Sequence, residues 1–215
     1  LGFFTQSPRD ALELWHALDR HTDDVNVDVL GVPDPMPPVE APMAAAFQKA
    51  VRKLKRVGIS IRSIDLAGLL ATLAEAAHVV MCYEGARFHR QRYAEHGTRL
   101  GDLAQLVRLG LEIPESRYDD ARRQIDAGRE TVAEFYRSTP VILVPGATGP
   151  APAGLASTGD PAMNAPWTAL GTPAISIPMP VGRELPLGLQ LTAAPGQDGL
   201  LLCTAERVAD LLGSG

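Results

Sequence analysis

Apolar and polar positions change period several times along this chain, and the changes mark out its elements. Ser7, Pro8 and Asp10 combine a capping hydroxyl, a first-turn proline and an acid three residues after the cap. The helix they open carries Ala11, Leu14, Trp15 and Leu18 on one face. Val25, Val27 and Val29 then alternate with Asn26 and Asp28, the period of a strand, which ends at Gly31, Val32 and Pro33. A proline-rich link over 33–38 leads to a helix over about 42–57, with Met43, Phe47, Ala50, Val51 and Leu54 inward and Lys49, Arg52, Lys53 and Arg56 outward. Gly58 closes it, and 59–64 reads as a second strand. Helix, glycine and strand at this spacing predict a parallel crossover.

A long helix is expected over 66–93, buried at first and increasingly charged after Glu84. Two more helical stretches follow at 100–110 and 118–138, the second with Ala121, Ile125, Val132 and Phe135 on a face. The run 141–144 is continuously apolar, as expected of a strand covered on both sides. After the Gly/Pro/Ala loop 146–159, Asp160 and Pro161 suit the cap and first position of a helix that Gly171, Thr172 and Pro173 end. A short strand over 174–178 puts Ile175 and Ile177 on one face, and Gly182, Arg183 and Glu184 make a turn. Leu187, Leu189, Leu191 and Ala193 alternate with Gly188, Gln190 and Thr192, which predicts a half-buried strand. Asp198 starts a last helix with Leu201, Ala205, Val208 and Leu212 inward. Five strands and about seven helices in this order describe an α/β fold, without internal repeats or a linker between domains.

Composition narrows the class of function. The apolar fraction of 46% and charged fraction of 21% are those of a soluble globular protein. A net charge of −5 argues against nucleic acid or an anionic membrane as the main partner. Thr72, Glu75 and His78 interrupt the apolar stretch 66–83, making it a core helix rather than a membrane span. Cys82 and Cys203, the only cysteines, fit neither a metal site nor a disulfide framework, so a cytoplasmic location is expected.

His78, His89 and His96 share a helical face with Cys82, but at ~1.5 Å of rise per residue His78 and His89 stand roughly 16 Å apart, too far for one ion. Glu75 and His78 have the Glu-x-x-His spacing of di-iron bundles, without the second copy these require. The glycine-rich loop lacks the Gly-Lys-Ser/Thr ending of a phosphate loop, though a loop in this position can border a pocket. No Gly-x-Ser-x-Gly elbow occurs. No metal and no cofactor are expected.

The run GDP…N…WT…GTPAISIPM…LPLGLQL over 159–193 resembles the C-terminal sequence of the amidase signature family, hydrolases that cleave carboxamides. The opening LGFFTQSPRDALELWHAL resembles the family's stretch just beyond its nucleophile. The resemblance implies a mixed sheet with helices on both faces, forming a single α/β unit over 1–215 that is the later part of a larger amidase domain. That family works with a lysine, a serine on a cis peptide and a nucleophilic serine, the serines lying in a Gly-Gly-Ser-Ser stretch. Here there is no Ser-Ser pair, and Lys49, Lys53 and Lys55 all sit on one amphipathic helix. The resemblance therefore assigns no catalytic residue to this chain. It does imply substrate contact by Asn164, Trp167 and Thr168, beside the plainer roles of core packing for Trp167 and turn bracing for Asn164.

The expected function is the C-terminal part of a carboxamide hydrolase that works through an acyl-enzyme. The alternatives are a non-catalytic binding module or pseudoenzyme that keeps the scaffold, and a partner subunit in an amidotransferase-like assembly. The expected partners are a small-molecule amide and either the preceding segment of the same domain or a second copy of the chain. Nucleic acid and membrane are not expected.

Overall fold

The structure is a computed structural model that describes residues 2–22, 27–180, 182 and 184–213. Val25 and Asn26, which open the first expected strand, and Arg183 of the expected turn lie outside the described residues. The chain runs α1 (Pro8–Ala17), β1 (Val29–Pro33), α2 (Ala41–Arg56), β2 (Ser60–Ile64), α3 (Ala67–His96), α4 (Asp102–Glu112), α5 (Glu115–Ser138) and β3 (Val141–Pro145). A 3-10 turn (Pro161–Met163) precedes α6 (Ala165–Leu170), β4 (Ala174–Pro178), β5 (Gly188–Ala193) and α7 (Asp198–Gly213).

The five strands form one mixed sheet in the order β2-β1-β3-β5-β4. β1 is parallel to β2 and to β3, so β1–α2–β2 is the parallel crossover that the helix–glycine–strand spacing requires. β5 is antiparallel to both β3 and β4. β3 is buried along its whole length, as a continuous apolar run demands. Its alternation divides two cores. Val141 and Leu143 join Met43, Phe47, Leu201 and Ala205 of α2 and α7 on one face. Ile142 and Val144 join Leu73, Ile125, Val132 and Trp167 of α3, α5 and α6 on the other.

The strand expected to be half-buried at 187–193 is instead buried from Leu189 to Ala193. β5 lies between β3 and β4, and it is covered on both faces. Gln190 and Thr192 are therefore buried, 5% and 0% exposed, although their alternation with leucines resembles a wetted face. Both are satisfied internally, as buried polar groups must be. Gln190 Nε2 donates to the Met163 carbonyl at 3.2 Å, and Thr192 Oγ1 donates to the Pro173 carbonyl at 2.9 Å. Tyr136 of α5 completes this layer through a 2.9 Å hydroxyl contact with Thr192. On α5, Tyr136 is thus fully buried, and the expected Phe135 is only half so.

α1 has the capping box expected of Ser7 and Asp10: Asp10 N donates to Ser7 Oγ at 3.2 Å, and Ser7 N donates to Asp10 Oδ2 at 2.9 Å. Its buried residue is Leu12; Ala11, Leu14 and Trp15 are half-buried, and Leu18 is exposed. Among the described residues, no helix is long and apolar enough to cross a membrane.

Candidate functional site

In an open α/β sheet, ligands gather at the carboxyl ends of the parallel strands, where successive loops leave a crevice. Here that end is formed by the loops after β1 and β3. Glu40 N, at the end of the loop after β1, donates to the Thr148 carbonyl at 2.7 Å and so joins the two loops. Beyond Pro145, Gly146 N donates to the Gly188 carbonyl at 2.8 Å. A side chain at Gly146 would place its Cβ 2.8 Å from that same oxygen and 3.0 Å from Ser176 Oγ, so the turn demands glycine.

The loop returns at Asp160, whose Oδ1 accepts from Ala162 N at 2.9 Å and starts the 3-10 turn. The sequence pattern leads one to expect Asp160 to cap a helix directly; it caps this turn, and α6 follows one residue later at Ala165. Three contacts then hold the segment. Gln190 grips the Met163 carbonyl from the sheet. The Asn164 amide makes a long 3.5 Å contact with the Gly146 carbonyl. Arg129 of α5 donates to the Ala169 and Leu170 carbonyls at 2.8 and 3.1 Å, supplying a positive charge where the helix presents its unpaired oxygens.

Two cavities meet on this segment. The smaller, about 470 Å³, lies among the loop 146–152, Ser176 and the start of β5. The larger, about 1030 Å³, is a groove between α3, α5 and α6. Asp160, Pro161 and Asn164 line both. Of the residues singled out from sequence, Asn164 stands at this junction and Thr168 lines the groove, its hydroxyl donating to the Asn164 carbonyl at 3.2 Å. Trp167 lines neither cavity. It is 2% exposed and packs in the core with Ile142, Val144 and Leu170.

Ser176, Gln190 and the groove itself do not stand out in the sequence. A signal for the groove did exist: Ala71, Glu75, His78 and Met81 recur at helical spacing on α3, and all four line it. The expectation that 66–83 is buried therefore holds for one side only, that of Leu70, Leu73, Ala76 and Val79.

The other groups behave as scaffold. His78 Nε2 lies 3.6 Å from Cys82 Sγ, and burial, with Glu75 adding to it, pushes that thiol up and leaves it protonated. Among the described residues, no three His, Cys, Asp or Glu side chains are grouped to hold a metal. Lys53 donates to the Leu212 carbonyl at 2.9 Å, and none of the three lysines lines either cavity.

A family model described as Amidase matches residues 18–202. The chain belongs to the amidase family. Among solved structures, an amidase superposes with a TM-score of 0.87 at 25% identity, covering 97% of this chain and 52% of its own. A glutamyl-tRNA(Gln) amidotransferase chain from Thermotoga maritima gives 0.71 at 18% identity, covering 96% and 50%. A bacterial aryl acylamidase of the amidase signature family gives 0.66 at 13%, covering 87% and 46%. The last two show likeness of fold alone. A search of curated proteins returned no match. This amidase-family chain spans about half the length of the solved structures it matches. The mixed sheet and its two helical layers are thus those of amidase-signature enzymes.

Proposed function

We propose that this chain forms the later half of a carboxamide hydrolase of the amidase signature type. It supplies the sheet and one wall of the substrate pocket, and another segment supplies the serines and the lysine. The observation that carries the reading is the junction at Asp160–Asn164: on an amidase fold, at the carboxyl ends of the parallel strands, two cavities converge on one polar wall. In the complete enzyme a serine Oγ attacks the amide carbonyl and expels the amine, and water then hydrolyses the acyl-enzyme. Asn164 and Thr168 would contact substrate at this wall, with Trp167 as the packed anchor behind them.

The remaining part of the domain has a place to sit. β4 is an edge of the described sheet, and beside it Phe3, Phe4, Ala174 and Ile175 border a depression of about 510 Å³. Phe3 and Phe4 are both exposed, and exposed aromatics next to the open side of an edge strand mark an interaction surface.

The test is expression of the chain alone and together with the coding sequence that precedes Leu1. The chain alone should hydrolyse neither simple amides nor p-nitrophenyl esters. The longer product should carry a Gly/Ser-rich Ser-Ser stretch and hydrolyse amides. There, Asn164→Ala should alter relative rates among acyl groups by about 1–3 kcal/mol while the protein stays folded. Turnover by the chain alone that a serine-directed inhibitor abolishes would overturn the proposal.

A further inference from the structure

We infer that the groove between α3, α5 and α6 receives an elongated, uncharged apolar arm of the amide substrate, whose carboxamide end lies at the Asp160–Asn164 junction. This rests on the amidase reading and adds to it a substrate class. The groove holds about 1030 Å³, at the upper end of the range for sites that enclose a small organic ligand. Its α3 wall runs from Ala71 to Glu84, roughly 20 Å along the helix axis at 1.5 Å per residue. It is therefore long as well as roomy. The apolar lining is contributed by Ala74, Val80 and Met81 of α3, Ile125 of α5 and Ala165 of α6.

The charged groups along the groove already have partners within the protein, and of the others that line it His78 lies 3.6 Å from Cys82 Sγ and Arg122 stands over the Tyr118 ring at 5.8 Å. Glu75 pairs with Arg117 at 2.9 Å, and Asp126 pairs with Arg129 at 2.6 Å. Arg129 spends its other donors on the α6 carbonyls. Glu84 accepts from the Tyr118 hydroxyl at 2.7 Å. A polar or charged ligand would have to displace these partners, whereas an apolar arm displaces only water. Unlike an isolated surface hollow, the groove shares Asp160, Pro161 and Asn164 with the smaller cavity, so an arm in the groove has the polar residues of that shared wall at its end.

The test is direct binding of a primary carboxamide series, acetamide through decanamide, to the purified chain by titration calorimetry. Affinity should rise about three- to fourfold per methylene until the groove is filled. Ala74→Trp, at a half-buried groove position, should abolish the dependence on chain length. Met81→Ser, at an exposed position where folding is not at stake, should weaken decanamide binding several-fold and leave hexanamide binding less affected. Circular dichroism confirms that each variant is folded. Affinity independent of chain length, or equal in wild type and both variants, would overturn the inference. So would binding that appears only with dimerisation, since the groove would then be filled by a second copy. The failures are separable: graded binding without hydrolysis in any longer product sinks the hydrolase and spares the groove. Hydrolysis with length-independent binding does the reverse.

Discussion

Replacing Tyr136 by Phe tests the buried polar layer that fastens α5 to the centre of the sheet. The Tyr136 side chain is 6% exposed, and its hydroxyl meets Thr192 Oγ1 at 2.9 Å. Burial pushes the phenol up to about 12, against a small opposing effect of hydrogen bonds to Thr192 and Thr172. In the unfolded chain the same phenol titrates near 10. Because the folded pKa is the higher, the contribution to stability is complete below about pH 10 and is lost as pH rises through about 12. The full difference is about 2 to 3 kcal/mol, and about half of it is gone at pH 11. At neutral pH the Phe variant loses the hydroxyl's contacts with Thr192 and Thr172. Thr192 keeps the Pro173 carbonyl and the Thr172 hydroxyl, so nothing is orphaned and the cost is about 0.5–1.5 kcal/mol. Urea unfolding of both proteins by circular dichroism, from pH 7 to pH 11, should show the wild type ahead at pH 7 and its lead gone at pH 11. The rest of the chain is the same in both proteins, so its contribution cancels. A stability difference that stays constant with pH would refute a buried, proton-holding Tyr136.

Two further substitutions probe the packing that places the groove and the junction. At Gly110→Ala the new methyl would come within 2.6 Å of Ala86 Cβ and closer still to the Cys82 carbonyl oxygen, so α4 must move off α3. A loss of about 3 kcal/mol is expected, lowering the melting temperature by roughly 6–12 °C, and an unchanged melting temperature would disprove the contact. Gln190→Leu leaves the Met163 carbonyl without its donor from the sheet, at an expected cost of about 1–3 kcal/mol in chemical denaturation. No loss would mean that this carbonyl finds another partner.

Much of the architecture follows from local patterning. Ser7 and Asp10 form the capping box their spacing requires, because a cap closes within one turn. The α2–β2 crossover and the buried β3 also follow, since amphipathic period and unbroken apolarity each belong to a single element. The residue pattern over 159–193 pointed to the amidase family for the same reason: it records the chemistry of one contiguous unit.

What only the tertiary structure decided depends on partners distant in sequence. Gln190 and Thr192 alternate with leucines as on a wetted strand, yet they are buried because β4 and β3 flank β5 and α5 and α6 cover its second face. Period reports that a strand has two unlike faces, and it does not report what lies against them. The same holds for α3, whose alanines are small enough to pack yet partly border open space, because α5 and α6 meet the helix on one side and leave a groove along another. Asp160 and Asn164 are legible as a cap and a turn residue. That they line two cavities at once is set by Gly146 closing on Gly188, Gln190 reaching Met163 and Arg129 holding the end of α6. Those three contacts span 27 to 42 residues, and no local pattern in the chain encodes them.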